Sequence, residues 1–148
     1  MLRPDLDIVR LWLHLVAACV WIGGQITLAA FVPVLRRTAT PDVVRAVARQ
    51  FQRIAWPAFA VLLITGVWNL LEVRIGDQRG AYLGSLFAKL VLVAVSGIGA
   101  AAHALATGPA VAKTTDAQLL RRRQAISGAT AALGLLSALA AAFVGIQL

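Results

Sequence analysis

A long apolar segment runs from Ile8 to Leu35, and it carries a histidine, His14, near its start. About 20 apolar residues in a helix cross the roughly 30 Å hydrocarbon core of a bilayer. The chain has only 148 residues and is 60% hydrophobic, so too few polar residues remain to cover such a segment with a hydrated surface. The sequence therefore predicts an integral membrane protein.

Three further apolar segments follow the first one. We expect a single domain over residues 1–148, with membrane spans at about residues 8–32, 54–73, 83–105 and 125–146. Pro33 and Arg36-Arg37 should close the first helix. Thr40-Pro41 should begin a basic surface helix that continues into the second span without a break. Gly76-Asp77 and Gly108-Pro109 mark the other connections. The predicted fold class is all-α, an integral membrane four-helix bundle.

The lysine and arginine residues outside the spans predict the orientation of the helices. The first and third connections hold nine of them: Arg36, Arg37, Arg45, Arg49, Arg53, Lys113, Arg121, Arg122 and Arg123. The N-terminal tail and the second connection hold four: Arg3, Arg10, Arg74 and Arg79. Because cytoplasmic loops are enriched in these residues, both termini are predicted to lie on the outer, periplasmic side. Since the net charge of +8 sits in loops, nucleic acid is not expected as a partner.

One face of the first helix differs in chemistry from the rest of that helix. Arg10, His14, Ala18, Trp21 and Gln25 step by four, four, three and four, so they share one side. The opposite side consists of Leu, Val, Ile and Ala, which suits lipid. Ionisable residues inside a span are costly and often functional. His14 therefore either bonds to a neighbouring helix or binds haem or a metal ion.

The predicted orientation brings other polar residues to the level of His14. The first and third helices run in the same direction and the second runs the other way, so Lys89, Asn69 and Glu72 should reach that level near the outer leaflet. Lys89 has the alternative of extending to the outer surface. His103 lies near the inner end of the third helix, where it should extend to the inner surface. We expect it to be too far from His14 to share a metal ion.

Small residues predict where the helices pack closely. Gly23-Gly24 lies within the first span, and Gly97 and Gly99 lie within the third. The predicted close-packing face of the fourth span comprises Ser127, Gly128, Ala131, Ala132, Ser137 and Ala138.

Several motifs resemble the CopD family of bacterial copper-resistance membrane proteins. They are His14 followed by Trp21 and Gly23-Gly24, Pro33-Val34-Leu35-Arg36-Arg37, Arg53-Ile54-Ala55-Trp56, Thr65-Gly66 and Phe87-Ala88-Lys89-Leu90. The first set also resembles HemJ, a related four-helix family of haem-b-binding protoporphyrinogen oxidases. A first-helix histidine and a third-helix lysine matter in that family, and they correspond to His14 and Lys89. The resemblance implies a multi-pass protein of the bacterial inner (plasma) membrane, surrounded by lipid.

The resemblance implies a site near the outer leaflet, with two alternatives for its ligand. In the haem alternative, His14 is an axial ligand of haem b, Trp21 shapes the pocket, and Lys89 pairs with a propionate. In the copper alternative, His14 binds copper with help from Asn69 or Glu72. The implied role is copper handling or haem-linked redox chemistry.

A different class of function stays open beside these. The chain could be an accessory subunit without a cofactor, as a homo-oligomer or within a larger respiratory or photosynthetic membrane complex. Porphyrinogen oxidation ranks last, because the paired histidines usual near the end of the third helix in HemJ are absent. No nucleophile, zinc or phosphate-binding motif indicates another enzyme, so a non-enzymatic role is favoured.

Overall fold

Four α-helices make up the part of the chain that the computed structural model describes, residues 4–73, 80–106 and 117–146. They are α1 (Pro4–Thr38), α2 (Pro41–Glu72), α3 (Gly80–Ala106) and α4 (Ala117–Gly145). Each helix contains a stretch that is long and apolar enough to cross a membrane, and these residues include no strand. The predicted all-α membrane fold class is confirmed. The connections predicted at Gly76-Asp77 and Gly108-Pro109 lie outside the described residues.

The chain divides into two compact units, Met1–Gly76 and Asp77–Leu148. In the first unit α1 packs against α2, and in the second unit α3 packs against α4. The two helices of each pair run antiparallel. In the first pair Arg10 lies near Glu72 and Gly24 near Phe51, and in the second pair Lys89 lies near Gly145 and Gly99 near Gly134.

The first helix is longer than the predicted span, because Pro33 does not end it. α1 continues to Thr38, and the backbone N–H of Ala39 donates to the carbonyl of Leu35 at 2.8 Å. A proline inside a helix removes one backbone hydrogen bond. Arg36-Arg37 in the last turn interact favourably with the negative end of the helix dipole. With 35 residues, α1 is about 50 Å long and exceeds the hydrocarbon thickness.

The second helix begins where the sequence indicates. Thr40 is its N-cap in an extended conformation and Pro41 is its first residue. The Thr40 side chain makes no capping hydrogen bond; its carbonyl instead accepts from the backbone N–H groups of Val43 and Val44. The helix then runs without interruption to Glu72, so the predicted basic surface helix and second span are one element.

The exposed surface of the helix pairs is apolar, and several polar side chains are buried between paired helices. Large apolar residues such as Leu71, Phe87 and Leu105 are 70–79% exposed. Thr65, Ser96, Ser127 and Ser137 are buried. Lipid is as apolar as leucine, so helices in a membrane associate through close packing and hydrogen bonds rather than through burial of large apolar side chains.

In the first unit, Gly24 accepts a side chain of the neighbouring helix. A Cβ atom at position 24 would lie 2.6 Å from Cε2 of Phe51, whereas a Cβ atom at position 23 would have nothing within 4 Å. Of the predicted glycine pair, Gly24 therefore meets the neighbouring helix and Gly23 does not.

We expect Gly24→Ala to destabilise the protein by about 1 kcal/mol, at the low end for overpacking, because the aromatic ring of Phe51 must rotate to admit the methyl group. Gly23→Ala is the matched control. It should be neutral or slightly stabilising, since alanine favours the helix by roughly 1 kcal/mol over glycine. Thermal unfolding of both variants in detergent micelles measures the difference, and equal unfolding temperatures would contradict the packing.

In the second unit, backbone meets backbone at two glycines. A Cβ atom at Gly99 of α3 would lie 3.0 Å from the Cα of Gly134 and 3.0 Å from the carbonyl oxygen of Thr130. Gly97 and Gly99 are both buried, as predicted for α3. On α4 the predicted face is only partly right: Ser127 and Ser137 are among its buried residues, whereas Gly128 and Ala132 are exposed.

Candidate functional site

The imidazole of His14 is bonded to the neighbouring helix of its own unit. Its Nδ1 lies 2.8 Å from Oγ1 of Thr65, which is buried on α2. The Thr65 hydroxyl also donates to the carbonyl of Val61 at 2.7 Å, one turn back along α2. The prediction left open whether His14 bonds to a neighbouring helix or binds a ligand. The structure shows the helix bond.

The hydrogen bonds of Thr65 determine which nitrogen of His14 carries the proton. A hydroxyl has one hydrogen, and the hydrogen of Thr65 lies towards the Val61 carbonyl, because two oxygen atoms 2.7 Å apart without a proton would repel each other. The hydroxyl oxygen therefore accepts from His14 Nδ1–H. In a neutral ring the lone pair is then on Nε2, and this is the atom that can bind a metal ion.

A glycine on α2 leaves room for the imidazole, and an aromatic cluster lies two turns further along α1. A Cβ atom at Gly66 would lie 3.5 Å from His14 Cε1, so the ring passes directly over a position without a side chain. Two turns further along α1, Trp21 is buried and stacks on Phe59 with ring centroids 4.3 Å apart. Trp56 completes this aromatic cluster at 5.8 Å from Trp21. The sequence indicated Trp21, but it gave no signal that Trp56 and Phe59 would surround it.

Arg10 lies one helical turn before His14 and is only 6% exposed. Its Nη2 lies 3.1 Å from Asp7 Oδ1 on the same helix, and its Nη1 lies 3.7 Å from Glu72 Oε1 on α2. Its guanidinium carbon lies 6.0 Å from the ring centroid of Trp68. An arginine between two carboxylates and an indole links the ends of α1 and α2. Glu72, predicted as a helper ligand for copper, is thus paired with Arg10 while its side chain is 59% exposed.

Asn69 was also predicted as a helper ligand, and its amide oxygen is buried. Asn69 Oδ1 has no hydrogen-bond partner, and neither have Nε and Nη1 of Arg10. Asn69 lies next to Trp68 in sequence and one turn before Glu72, which places it on the helix face that meets Arg10. The three polar atoms without a hydrogen-bond partner therefore all lie near Glu72, at one end of the first unit.

The remaining predicted residue, Lys89, belongs to the second unit. Its side chain runs along the end of α4, where a Cβ atom at Gly145 would lie 3.0 Å from Nζ. The pairing of Lys89 with a group at the level of His14 stays a prediction. In the same unit His103 does not simply extend to the surface as expected, because its Nδ1 lies 2.8 Å from the carbonyl oxygen of Ser127 on α4.

No group of three or more His, Cys, Asp or Glu residues that could hold a metal ion occurs among the described residues. Cys19, the one cysteine of the sequence, is exposed. The predicted residues His14, Asn69 and Glu72 all lie on the α1–α2 pair of the first unit. His14 bonds to Thr65, the amide oxygen of Asn69 is buried without a hydrogen-bond partner, and Glu72 pairs with Arg10.

A comparison with protein families agrees with the sequence motifs. The family model of copper resistance protein D matches residues 45–144, which is more than half of the chain. The chain belongs to the CopD family. No curated protein and no solved structure matches it. The CopD match begins within α2, so it includes Thr65, Asn69, Glu72 and Lys89, whereas His14 precedes it. The relation to HemJ stays a prediction from the motifs.

If copper or haem binds at His14, we expect Thr65→Val to weaken that binding by about 10–100-fold, the usual effect of losing the group that orients a ligating histidine. Valine has nearly the shape of threonine but cannot accept the proton of Nδ1. Thr65→Ser keeps the hydroxyl and should retain the affinity. Titration of both purified variants with copper and with haem measures the difference. Equal affinities for the valine and serine variants would show that Thr65 does not orient the ring.

Proposed function

We propose that this CopD-family protein handles copper in the bacterial inner membrane, and that His14 binds the ion near the outer leaflet through Nε2. The observation that carries the proposal is the hydrogen bond from His14 Nδ1 to Thr65. Metal-binding histidines donate their second ring N–H to a protein acceptor, which fixes the tautomer and leaves the other nitrogen as the ligand. The membrane family and the buried polar partner of His14 support the same conclusion.

The donor set favours transient binding of copper over tight storage. Imidazole is a suitable ligand for copper, but high-affinity Cu(I) sites use several soft ligands. The sequence has one Cys, which is exposed, and one Met. A single imidazole with oxygen ligands from Asn69 or Glu72 would bind weakly enough to pass the ion on. This suits a protein for which copper is cargo.

Haem b is the second candidate, and Arg10 is the observation that favours it. The guanidinium is buried one turn from His14, and cationic groups pair with haem propionates. His14 would hold the iron, and Arg10, whose Nε and Nη1 have no hydrogen-bond partner, would hold a propionate. Bound haem would supply one-electron chemistry. The protein residues would orient the group and exclude water around Trp21.

The purified full-length protein tests the proposal directly. It would be expressed with added copper and haem precursor, purified in detergent, and examined by metal analysis and visible absorption. Bound copper without a Soret band supports copper handling, and a Soret band moves the function to haem-linked redox chemistry. Protein that carries neither, and does not bind either on titration, would overturn the proposal and favour the accessory-subunit alternative.

A further inference from the structure

Three buried polar atoms at the Glu72 end of the first unit have no hydrogen-bond partner. They are Nε and Nη1 of Arg10 and Oδ1 of Asn69. Each buried polar group without a partner costs about 1–3 kcal/mol, and the cost is higher next to hydrocarbon. Two of these atoms are donors and one is an acceptor. Water both donates and accepts, so water molecules at this end satisfy all three.

These atoms belong to a row of polar residues, about one helical turn apart on two facing helices, that leads to His14. On α1 the row comprises Asp7, Arg10 and His14, spaced three and four residues apart. On α2 it comprises Glu72, Asn69 and Thr65, again spaced three and four residues apart. Such spacings place residues on one helix face. The Arg10–Glu72 ion pair and the His14–Thr65 hydrogen bond show that the two faces meet. We call these six residues the polar seam.

The charge of the polar seam favours one kind of solute. The end of the polar seam near Glu72 carries two carboxylates, of Asp7 and Glu72, and one guanidinium, of Arg10. The formal charge of this end is therefore negative. The Glu72 side chain is 59% exposed, which opens this end to the surroundings, and the 3.7 Å separation from Arg10 is too long for a hydrogen bond. A polar row with an open, acidic end suits hydrated cations better than anions.

We propose that the polar seam is an aqueous entry path that admits water and small hydrated cations from the Glu72 end to His14. Arg10 closes the path by pairing with Asp7 on one helix and Glu72 on the other. Asn69 is the next polar group behind it, and Thr65 holds the imidazole at the inner end. The use of this path for copper rests on the proposed function. The hydration of the path does not, because it follows from the unsatisfied polar atoms.

Reactivity of an introduced thiol tests the path without copper. In a Cys19→Ser background, the full-length protein would carry Asn69→Cys and be reconstituted in phosphatidylcholine vesicles. Thiols react with water-soluble methanethiosulfonates as thiolates, so reaction requires water at the site. Val67→Cys and Leu71→Cys are the controls, because these residues precede and follow Asn69 by two positions and are 56% and 78% exposed on the apolar outside of the helix. Intact mass gives the reaction rates.

We expect Asn69→Cys to react faster than both controls, although Leu71 lies nearer to the helix end. The ratio of the cationic to the anionic reagent's rate should be roughly tenfold higher for this thiol than for a small free thiol in solution, because of the carboxylates. Thr65→Cys, one turn deeper, provides a second test if the first variant does not fold. The path is refuted if neither thiol reacts faster than the controls. If the thiols react in this way but the wild-type protein binds no copper, the path is retained and only the proposed function is overturned.

Discussion

Replacing His14 by alanine is expected to abolish binding of copper, or of haem, by the purified protein. The imidazole is the only strong nitrogen ligand among the described side chains of the first unit. The remaining polar groups of the polar seam are an amide, a hydroxyl, two carboxylates and a cation. Without Nε2 the carboxylates would have to bind the ion alone, and both already pair with Arg10. We therefore expect a loss of at least about 100-fold, at the upper end of what removal of an orienting partner alone produces.

The matched control is His103→Ala. His103 also bonds through Nδ1 to the neighbouring helix of its own unit, so its replacement removes a comparable helix–helix hydrogen bond. It should leave the bound copper or haem unchanged, because we predict that the two histidines do not share an ion. Metal analysis and absorption spectra of the wild-type protein and both variants decide the result. Unchanged binding in His14→Ala would remove His14 from the site. Equal loss in both variants would indicate a shared site.

The sequence was sufficient for the membrane fold, because length and apolar composition alone determine it. It also predicted His14 as the residue of interest, since a histidine within a span is rare and costly. It could not predict the partner of His14. Thr65 lies 51 positions away from His14 in the sequence. A hydroxyl inside a span has several possible hydrogen-bond partners, including the carbonyl one turn back, to which Thr65 does donate.

The role of Arg10 was missed for a related reason. Its place near the start of the first span resembles that of many arginines that extend to the membrane surface. Its burial depends on Glu72 and Trp68, which only the register of α1 against α2 brings beside it. A useful signal was present in the sequence, because Arg10 and His14 share a face, but that pattern cannot distinguish a buried arginine from an exposed one.

The packing face of α4 shows the same limit for small residues. Alanine, serine and glycine occur all around this helix, so composition does not identify which side meets α3. The structure identifies Gly134, which the predicted face did not include, as the partner of Gly99. Gly128 was expected on the same face but is exposed, with nothing within 4 Å of an added Cβ atom.

Gly99→Ala is expected to destabilise the second unit by about 1–3 kcal/mol, and Gly99→Val by more. The added Cβ atom would lie 3.0 Å from the Cα of Gly134 and 3.0 Å from the carbonyl oxygen of Thr130, and both are backbone atoms. A side chain can rotate away, as Phe51 can at Gly24, but a backbone cannot. The two backbones must therefore move apart by a few tenths of an ångström at this contact, which weakens the packing around it.

Helix propensity and packing predict opposite signs for the stability change of Gly99→Ala. Alanine favours a helix over glycine by roughly 1 kcal/mol, so propensity alone would make Gly99→Ala stabilising. Gly128→Ala, on the exposed side of α4, receives that gain without a clash and should unfold at the same or a higher temperature than the wild-type protein. Thermal unfolding of both variants in detergent measures the contrast. If Gly99→Ala unfolds no earlier than Gly128→Ala, α3 and α4 do not approach as closely as the glycines indicate.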